Sequence, residues 1–262
     1  FTRAGLNVDI TTFPSAPAMI AAVIGNAIDV GTADVIQLGN AYNHGVGLAF
    51  FAGAGLYTST APATFLCVAK DSPVRTAKDL EGKTVAVVAL TSISTMTVRE
   101  WIRENGADPA LVTFFEIPFS SMVPALTRGT TAAALIGEPF ISVSKGDVRL
   151  LADAQHVIAK SFYISALFAS RDWLARNTDA ARRLRDSLYQ TARWANAHQA
   201  DTAAILSKYT KLDVDRIRAM TRARFATSLD PRLMQPVLDF AFKNGALDKP
   251  VNAAALIAPI AP

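Results

Sequence analysis

The sequence holds one cysteine, Cys67, and three histidines among 262 residues. A single thiol excludes an intrachain disulfide framework and any cysteine-rich metal site. It lies in the apolar run Thr64-Phe65-Leu66-Cys67-Val68 and reads as a small buried hydrophobe, not a nucleophile. His44, His156 and His198 are far apart, and none has a partner at metal-ligand spacing, so neither a metal nor a cofactor is expected. His44, in Asn43-His44-Gly45, reads as a helix C-cap. Charge is sparse as well: 18% of residues are charged, with a net +4. The basic runs Arg182-Arg183-Leu184-Arg185 and Arg216 to Arg224 sit beside apolar positions without interleaved aromatics. That is the pattern of solvated helix faces and not of a nucleic-acid surface. No apolar run approaches the ~20 residues of a membrane span. The longest, Val46 to Leu56, is broken by Gly47, Gly53 and Gly55. Enzyme signatures are missing too. No GxGxxG follows a strand (Gly53-Ala54-Gly55 lacks the third glycine), and there is no GxxxxGK[ST] loop and no GxSxG elbow.

Half of the residues are apolar, which is enough for a substantial core in one large domain or two moderate ones. One pattern occurs three times: a helix-like run, a stop at Asn or Gly, a short strand, then a joint of small and hydroxyl residues before the next helix. It is seen in AMIAAVIGNAIDVGTAD, in GKTVAVVALTSISTMTVREWIRENG and in VPALTRGTTAAALIGEPFISVSKG. Asn26 and Gly129 mark the equivalent stops, because Asn and Gly accept the left-handed conformation of a helix C-terminus. Alternating strands and helices predict crossover units and parallel sheets. Further strands are expected at Leu48 to Ala52, Phe65 to Ala69, Val112 to Ile117 and Ile164 to Ala169. From Ser170 onward the sequence reads as almost all helix, with runs at Ala180 to Ala197, Asp201 to Tyr209, Asp213 to Arg224 and Asp230 to Asn244.

At a helix N-terminus the first backbone N–H groups are unpaired and carry the positive end of the helix dipole, so hydroxyl-rich joints suit an oxyanion or a polar ligand edge. Thr91-Ser92-Ile93-Ser94-Thr95 is the richest of these joints. Asp29, Asp34 and Glu138 are the only acids near the joints, and no arginine lies at any of them.

Several phrases carry a family resemblance. AGLNVDI, NAIDVGTAD, DSPVRTAKDLEGKTVAV, GTTAAALIGEPF and SRDWLARNTDAARRLRDSLYQTARWANAHQADTAAILSKYTKLD are together similar, end to end, to the periplasmic substrate-binding proteins of ABC importers. The group resembled takes up aliphatic sulfonates, taurine, nitrate and thiamine-precursor pyrimidines. The resemblance implies an α/β fold of the two-lobe periplasmic binding protein type (type II-like), with a ligand cleft between the lobes and a helical C-terminal region. Lobe one is expected at 1–62 and 166–262, and lobe two at 63–165. The family's first strand is expected to precede Phe1. Ala132 stands where members often carry aspartate, and Gly137 where an aromatic often precedes Glu-Pro. Pyrimidine synthases share this fold, but their cysteine-rich motif is absent here, so a binding protein and not an enzyme is expected.

The expected ligand contacts are Thr32 and Asp34 at the first joint, and Thr91, Ser92 and Ser94 at the second. Phe119 follows a strand, Glu138 lies at the third joint, and Tyr57, Phe162 and Tyr163 lie near the expected crossings between lobes. Asp34 reads equally as a helix cap and Phe119 as a core aromatic, and Glu138 reads first as a helix-start carboxylate satisfied by its own N–H groups. The ligand implied is a small anion of sulfonate, taurine or nitrate type. Alternatives are a small aromatic or pyrimidine-type compound, bound by an importer component or a sensor domain, and, further off, an enzyme on the same scaffold. The implied partner is the membrane permease, the protein acting as a monomer. The implied location is the periplasm, or the cell exterior on a membrane tether, after removal of a signal peptide not present in this chain.

Overall fold

The structure is a computed structural model that describes every residue except Pro14, Thr91, Lys211, Ala261 and Pro262, and the backbone alone of Thr210. In chain order the main elements are α1 (Ala16–Ile24), β1 (Val30–Ala33), α2 (Val35–Asn43), β2 (Leu48–Gly53), β3 (Gly55–Thr58), β4 (Thr64–Ala69), β5 (Thr84–Val87), α3 (Ile93–Glu104), β6 (Thr113–Glu116), α4 (Phe119–Thr127), β7 (Ala133–Gly137), α5 (Phe140–Val143), β8 (Val148–Ala152), β9 (Ser161–Tyr163), β10 (Ala166–Ser170), α6 (Arg171–Arg176), α7 (Thr178–Ala197), α8 (Gln199–Thr210), α9 (Val214–Ala219), β11 (Arg224–Phe225) and α10 (Pro231–Lys243). The local signals account for many of the boundaries. Asn26 has φ 57° and Gly129 φ 70°, the left-handed stops expected after α1 and α4. Ser170 caps α6 by accepting the Trp173 N–H at 3.1 Å, and His44 closes α2 with its Nδ1 2.8 Å from the Asn40 carbonyl.

The chain divides into two compact units. The first comprises 1–57, 161–198 and 224–262, the second 58–160 and 199–223. The expected lobes place 199–223 in the first unit, whereas the structure groups α8 and α9 with the second. A local apolar cluster, Ala203, Ile217 and Met220 with Leu206, Leu212 and Val214, holds α8 to α9, and the packing of α9 against α5 joins the pair to the second unit.

In the first unit β10 lies between β1 and β2 and is antiparallel to both. This corrects the expectation of parallel pairing. The α2 crossover leaves β1 and β2 pointing the same way, but β10, returning from far along the chain, inserts between them. A second small sheet has the order β11-β3-β9. Around it lies a set of buried aromatics. The rings of Tyr57 and Phe162 stack with centroids 4.7 Å apart. The Tyr163 hydroxyl donates to the Ser228 carbonyl at 2.9 Å and accepts the Asp230 N–H at 2.9 Å. The Tyr189 hydroxyl accepts the buried Gly53 N–H at 2.9 Å, and burial pushes this phenol up to about 12.

The second unit is built on the sheet β6-β5-β7-β4-β8. β5 is parallel to β6 and β7, and β4 is antiparallel to β7 and β8. Leu66, Val68, Val85, Ala133 and Leu135 face one side and meet Val98 and Ile102 of α3. Cys67, Ala86, Ala134 and Ile136 face the other side and meet Met122, Val123 and Leu126 of α4. Helices cover both faces, so these strands read as unbroken apolar runs with no period-two signal. The basic runs are largely neutralised locally: Arg182 and Arg183 pair with Asp179, Arg185 with Asp186 and Arg218 with Asp215. Exposed pairs of this kind add little to stability.

Candidate functional site

Parallel strands deliver their carboxyl ends to one edge of a sheet, where the following helices begin. In the second unit, β6, β5 and β7 bring three joints to such an edge: Ile117-Pro118 before α4, Val88 to Leu90 with Ser92 before α3, and Glu138-Pro139 before α5. The middle joint leads into α3. Ser92 is its N-cap residue by backbone conformation, yet its side chain does not cap the helix. The Ser92 hydroxyl donates at 2.8 Å to the Ala89 carbonyl, which also accepts the buried Thr95 hydroxyl at 2.7 Å. Among the described residues, no hydrogen bond takes up the N–H of Ile93, Ser94 or Thr95. The half-buried Ser94 hydroxyl stands at the same turn. The N–H groups of Ile93, Ser94 and Thr95 thus stand at the positive end of a twelve-residue helix, a setting that suits an oxyanion head.

Acidic groups flank this joint. Glu138 is turned onto its own helix, its carboxylate accepting the Ser142 N–H at 3.0 Å and the Ser142 hydroxyl at 2.9 Å. Glu116, at the end of β6, accepts the Leu90 N–H at 3.1 Å. Cys67 is buried beneath this edge, and burial, with the Glu138 charge second, pushes its thiol up to about 12, so it is unreactive in the fold. Phe119 and Phe140, the first residues of α4 and α5, stack with centroids 6.0 Å apart and an interplanar angle of 20°.

Of the residues nominated from sequence, the structure brings Ser92, Ser94, Phe119 and Glu138 to one edge of one sheet, and Thr91 lies outside the described residues. Glu116 and Phe140 were missed. A polar or aromatic residue adjoining a strand's carboxyl end is the signal that finds both.

The remaining predicted residues belong to the first unit. Thr32 is exposed on β1, its N–H 2.9 Å from the Met19 sulfur. Asp34 caps α2, accepting the Gln37 N–H at 2.8 Å. Tyr57, Phe162 and Tyr163 are 2%, 0% and 1% exposed and form core. Burial raises the Asp34 carboxyl above the usual carboxylate range, against the lowering effect of the Gln37 and Ile36 N–H groups. A raised folded-state value favours the protonated form, so its contribution to stability is full below the unfolded value and is lost as pH rises through the folded one. Asn caps equally well and carries no charge. Asp34→Asn is therefore expected to flatten the decline of urea midpoint as pH rises above the ordinary carboxylate range. A profile as steep as the parent's would show that Asp34 ionises freely.

At the opposite end of α3 lies a surface hollow of about 620 Å³ lined by Arg99, Arg103, Glu81 and Asp108. Its arginines are already engaged: Arg99 lies 4.1 Å from the Phe114 centroid and Arg103 pairs with Glu100. The helix C-terminus there is the negative end of the dipole, so the hollow is a poorer anion site than the N-terminal joint. Among the described residues no group of three or more His, Cys, Asp or Glu could hold a metal ion, and no helix is long and apolar enough to cross a membrane.

Comparison with known proteins matches residues 1–202 to a family model described as NMT1/THI5 like. Over 254 residues the chain is 25% identical to a protein of Escherichia coli (strain K12) named "Putative aliphatic sulfonates-binding protein", covering 92% of this chain and 76% of that one. Among solved structures it is similar to the periplasmic aliphatic sulphonate binding protein SsuA from Escherichia coli, with TM-score 0.75, 21% identity and coverage of 95% and 81%. It is also similar to the desulfurization enzyme DSZB, with TM-score 0.73, 14% identity and coverage of 98% and 90%. The fold is thus the one these proteins share, and that fold hosts both solute binding and catalysis.

Proposed function

The chain belongs to the NMT1/THI5-like family, and on that premise we propose that it is the solute-binding component of an ABC importer, taking up a small organic monoanion of sulfonate type. The protein works in the periplasm, or tethered outside the membrane, where it delivers the ligand to a permease. The observation that carries this reading is the uncapped N-terminus of α3, with its N–H groups at Ile93, Ser94 and Thr95 without a partner among the described residues. The name of the E. coli relative supports a sulfonate as the anion. An anion held by backbone donors needs no arginine clamp, as phosphate loops at helix N-termini illustrate.

The flanking carboxylates narrow the class. Glu116 and Glu138 lie at the two neighbouring joints, and like charges at close range cost several kcal/mol. A monoanion is tolerated there, whereas a dianion such as sulfate is disfavoured. Among the described residues of this edge, Glu138 is committed to Ser142, Glu116 to the Leu90 N–H, and Cys67 is buried and protonated, which favours binding over acid–base catalysis.

The test is a thermal-shift panel of alkane- and arylsulfonates, taurine, nitrate, pyrimidines and sulfate. A ligand that binds only the folded state stabilises it by about 2.7 kcal/mol at a hundred times Kd. The expected result is a raised Tm with one or more monoanionic sulfonates and none with sulfate at equal ionic strength. A shift with pyrimidines alone would overturn the anion reading, and steady turnover of a bound sulfonate would replace binding by catalysis.

A further inference from the structure

We propose that the hollow at the C-terminal end of α3 is a second ligand site, taking a small zwitterion of the amino-acid class with a short aliphatic body. It lies wholly within the second unit and does not rest on the anion reading of the α3 N-terminus. The hollow measures about 620 Å³, a size that small-molecule sites commonly have. Arg99 and Arg103, one helical turn apart on α3, share its lining with Glu81 and Asp108.

The group that carries the inference is Arg99. Its guanidinium carbon lies 4.1 Å from the Phe114 centroid, and Phe114 packs against the core cluster that holds Val98 and Ile102. Stacking of this kind occupies the flat face of a guanidinium, whereas its N–H donors lie around the rim. Among the described residues no acceptor takes any of those donors, and no carboxylate pairs with Arg99. The residue is half-buried, and burial lowers the guanidinium from its ordinary value, so its charge is incompletely hydrated. A carboxylate that accepts two parallel N–H bonds is the group that suits such a rim. Arg103, by contrast, already pairs with Glu100.

A simple anion is poorly served here, because two acids and the negative end of α3 stand beside the arginine. The acids are held in place by backbone. Glu81 accepts the Asp108 N–H at 3.0 Å, and Asp108 accepts the Ala110 N–H at 2.9 Å. Each bond uses one carboxylate oxygen, and the second oxygen of each takes no hydrogen bond among the described residues. Those oxygens and the helix C-terminus suit an ammonium. A simple cation would in turn meet the arginines. A ligand that carries both charges satisfies both sets of groups, and Ala107, Pro109 and Ala110 offer small apolar surface to its body.

Norvaline, pentanoate and butylamine separate the two charges on one carbon skeleton, since pentanoate lacks the ammonium and butylamine the carboxylate. Isothermal titration of the protein is expected to give norvaline a Kd at least tenfold below that of either, because hydrogen bonds to charged groups each contribute about tenfold or more in affinity. Arg99→Gln should weaken norvaline at least tenfold and leave butylamine unchanged. Asp108→Asn keeps an oxygen for the Ala110 N–H, and should weaken norvaline severalfold without weakening pentanoate. Norvaline that fails to bind, or binds no more tightly than the better of its two halves, would overturn the inference. Norvaline affinity retained in Arg99→Gln would overturn it too, since the ligand would then sit elsewhere, as at the N-terminus of α3. The comparison of the three ligands needs no variant, so a variant that misfolds does not block the test.

Discussion

Replacing Ser94 with aspartate is expected to abolish sulfonate binding while leaving the fold intact or slightly firmer. Ser94 occupies the second position of α3, in a first turn whose N–H groups have no side-chain cap. A carboxylate there satisfies those groups itself and interacts favourably with the helix dipole, worth about 0.3–1 kcal/mol. It also places a negative charge where the ligand's head must sit, and like-charge juxtaposition costs several kcal/mol. Affinity should fall by at least a hundredfold, or about 2.7 kcal/mol, while Tm without ligand holds or rises. These opposite signs separate a ligand site from a structural one, because a residue that merely stabilises the helix moves both quantities together. Ser94→Ala removes a single neutral donor and should cost only severalfold in affinity. Full sulfonate binding by Ser94→Asp would show that the N-terminus of α3 is not where the anion sits.

The largest effect on stability is expected at Gly53. A Cβ at this position would lie 2.5 Å from the Ser228 carbonyl oxygen and 2.8 Å from both the Ala226 Cβ and the Tyr163 Cε1. The nearest atom is backbone and cannot swing aside. Gly53→Ala must therefore push the 226–228 segment off β2, which strains the Tyr163 hydrogen bond to Ser228 and the Tyr189 bond to the Gly53 N–H. Overpacking of this kind costs about 1–3 kcal/mol, and the two strained bonds put Gly53→Ala at the upper end, near 3 kcal/mol. Gly47→Ala is the matched control: a Cβ there meets nothing within 4 Å, and the residue should be neutral or stabilising by about 0.4–1 kcal/mol. Urea denaturation of the two variants checks the difference. A Gly53→Ala midpoint equal to that of Gly47→Ala would mean the segment around Ser228 does not lie against β2.

Much of the local structure was legible because it rests on short-range physics. The stops at Asn26 and Gly129, the cap at Ser170 and the C-cap at His44 each depend on a few neighbouring residues. The joints after β1, β5 and β7 were legible for the same reason. A strand that ends in small and hydroxyl residues before an apolar-periodic run can scarcely do anything but start a helix. The alternative reading of Glu138 as a helix-start carboxylate was also within reach, since its partner Ser142 lies only four residues on.

Other features depended on contacts between distant residues, which no window of sequence contains. The insertion of β10 between β1 and β2 turned an expected parallel pair into an antiparallel sheet. The helices α8 and α9 joined the second unit because α9 packs against the distant α5. Tyr57, Phe162 and Tyr163 looked like cleft residues from their place near the chain crossings, yet their rings close the core of the first unit. The glycines of Gly53-Ala54-Gly55 suggested a broken nucleotide motif, but Gly53 is there to admit Ser228 and Tyr163. The sequence by itself determined which residues could cap, stop or start each element, because those energies are local. Only the tertiary structure decided which joints share an edge, which aromatics are spare and which helix end is left uncapped. Each of those depends on where a distant strand or side chain comes to rest, and that is set by burial of the whole core.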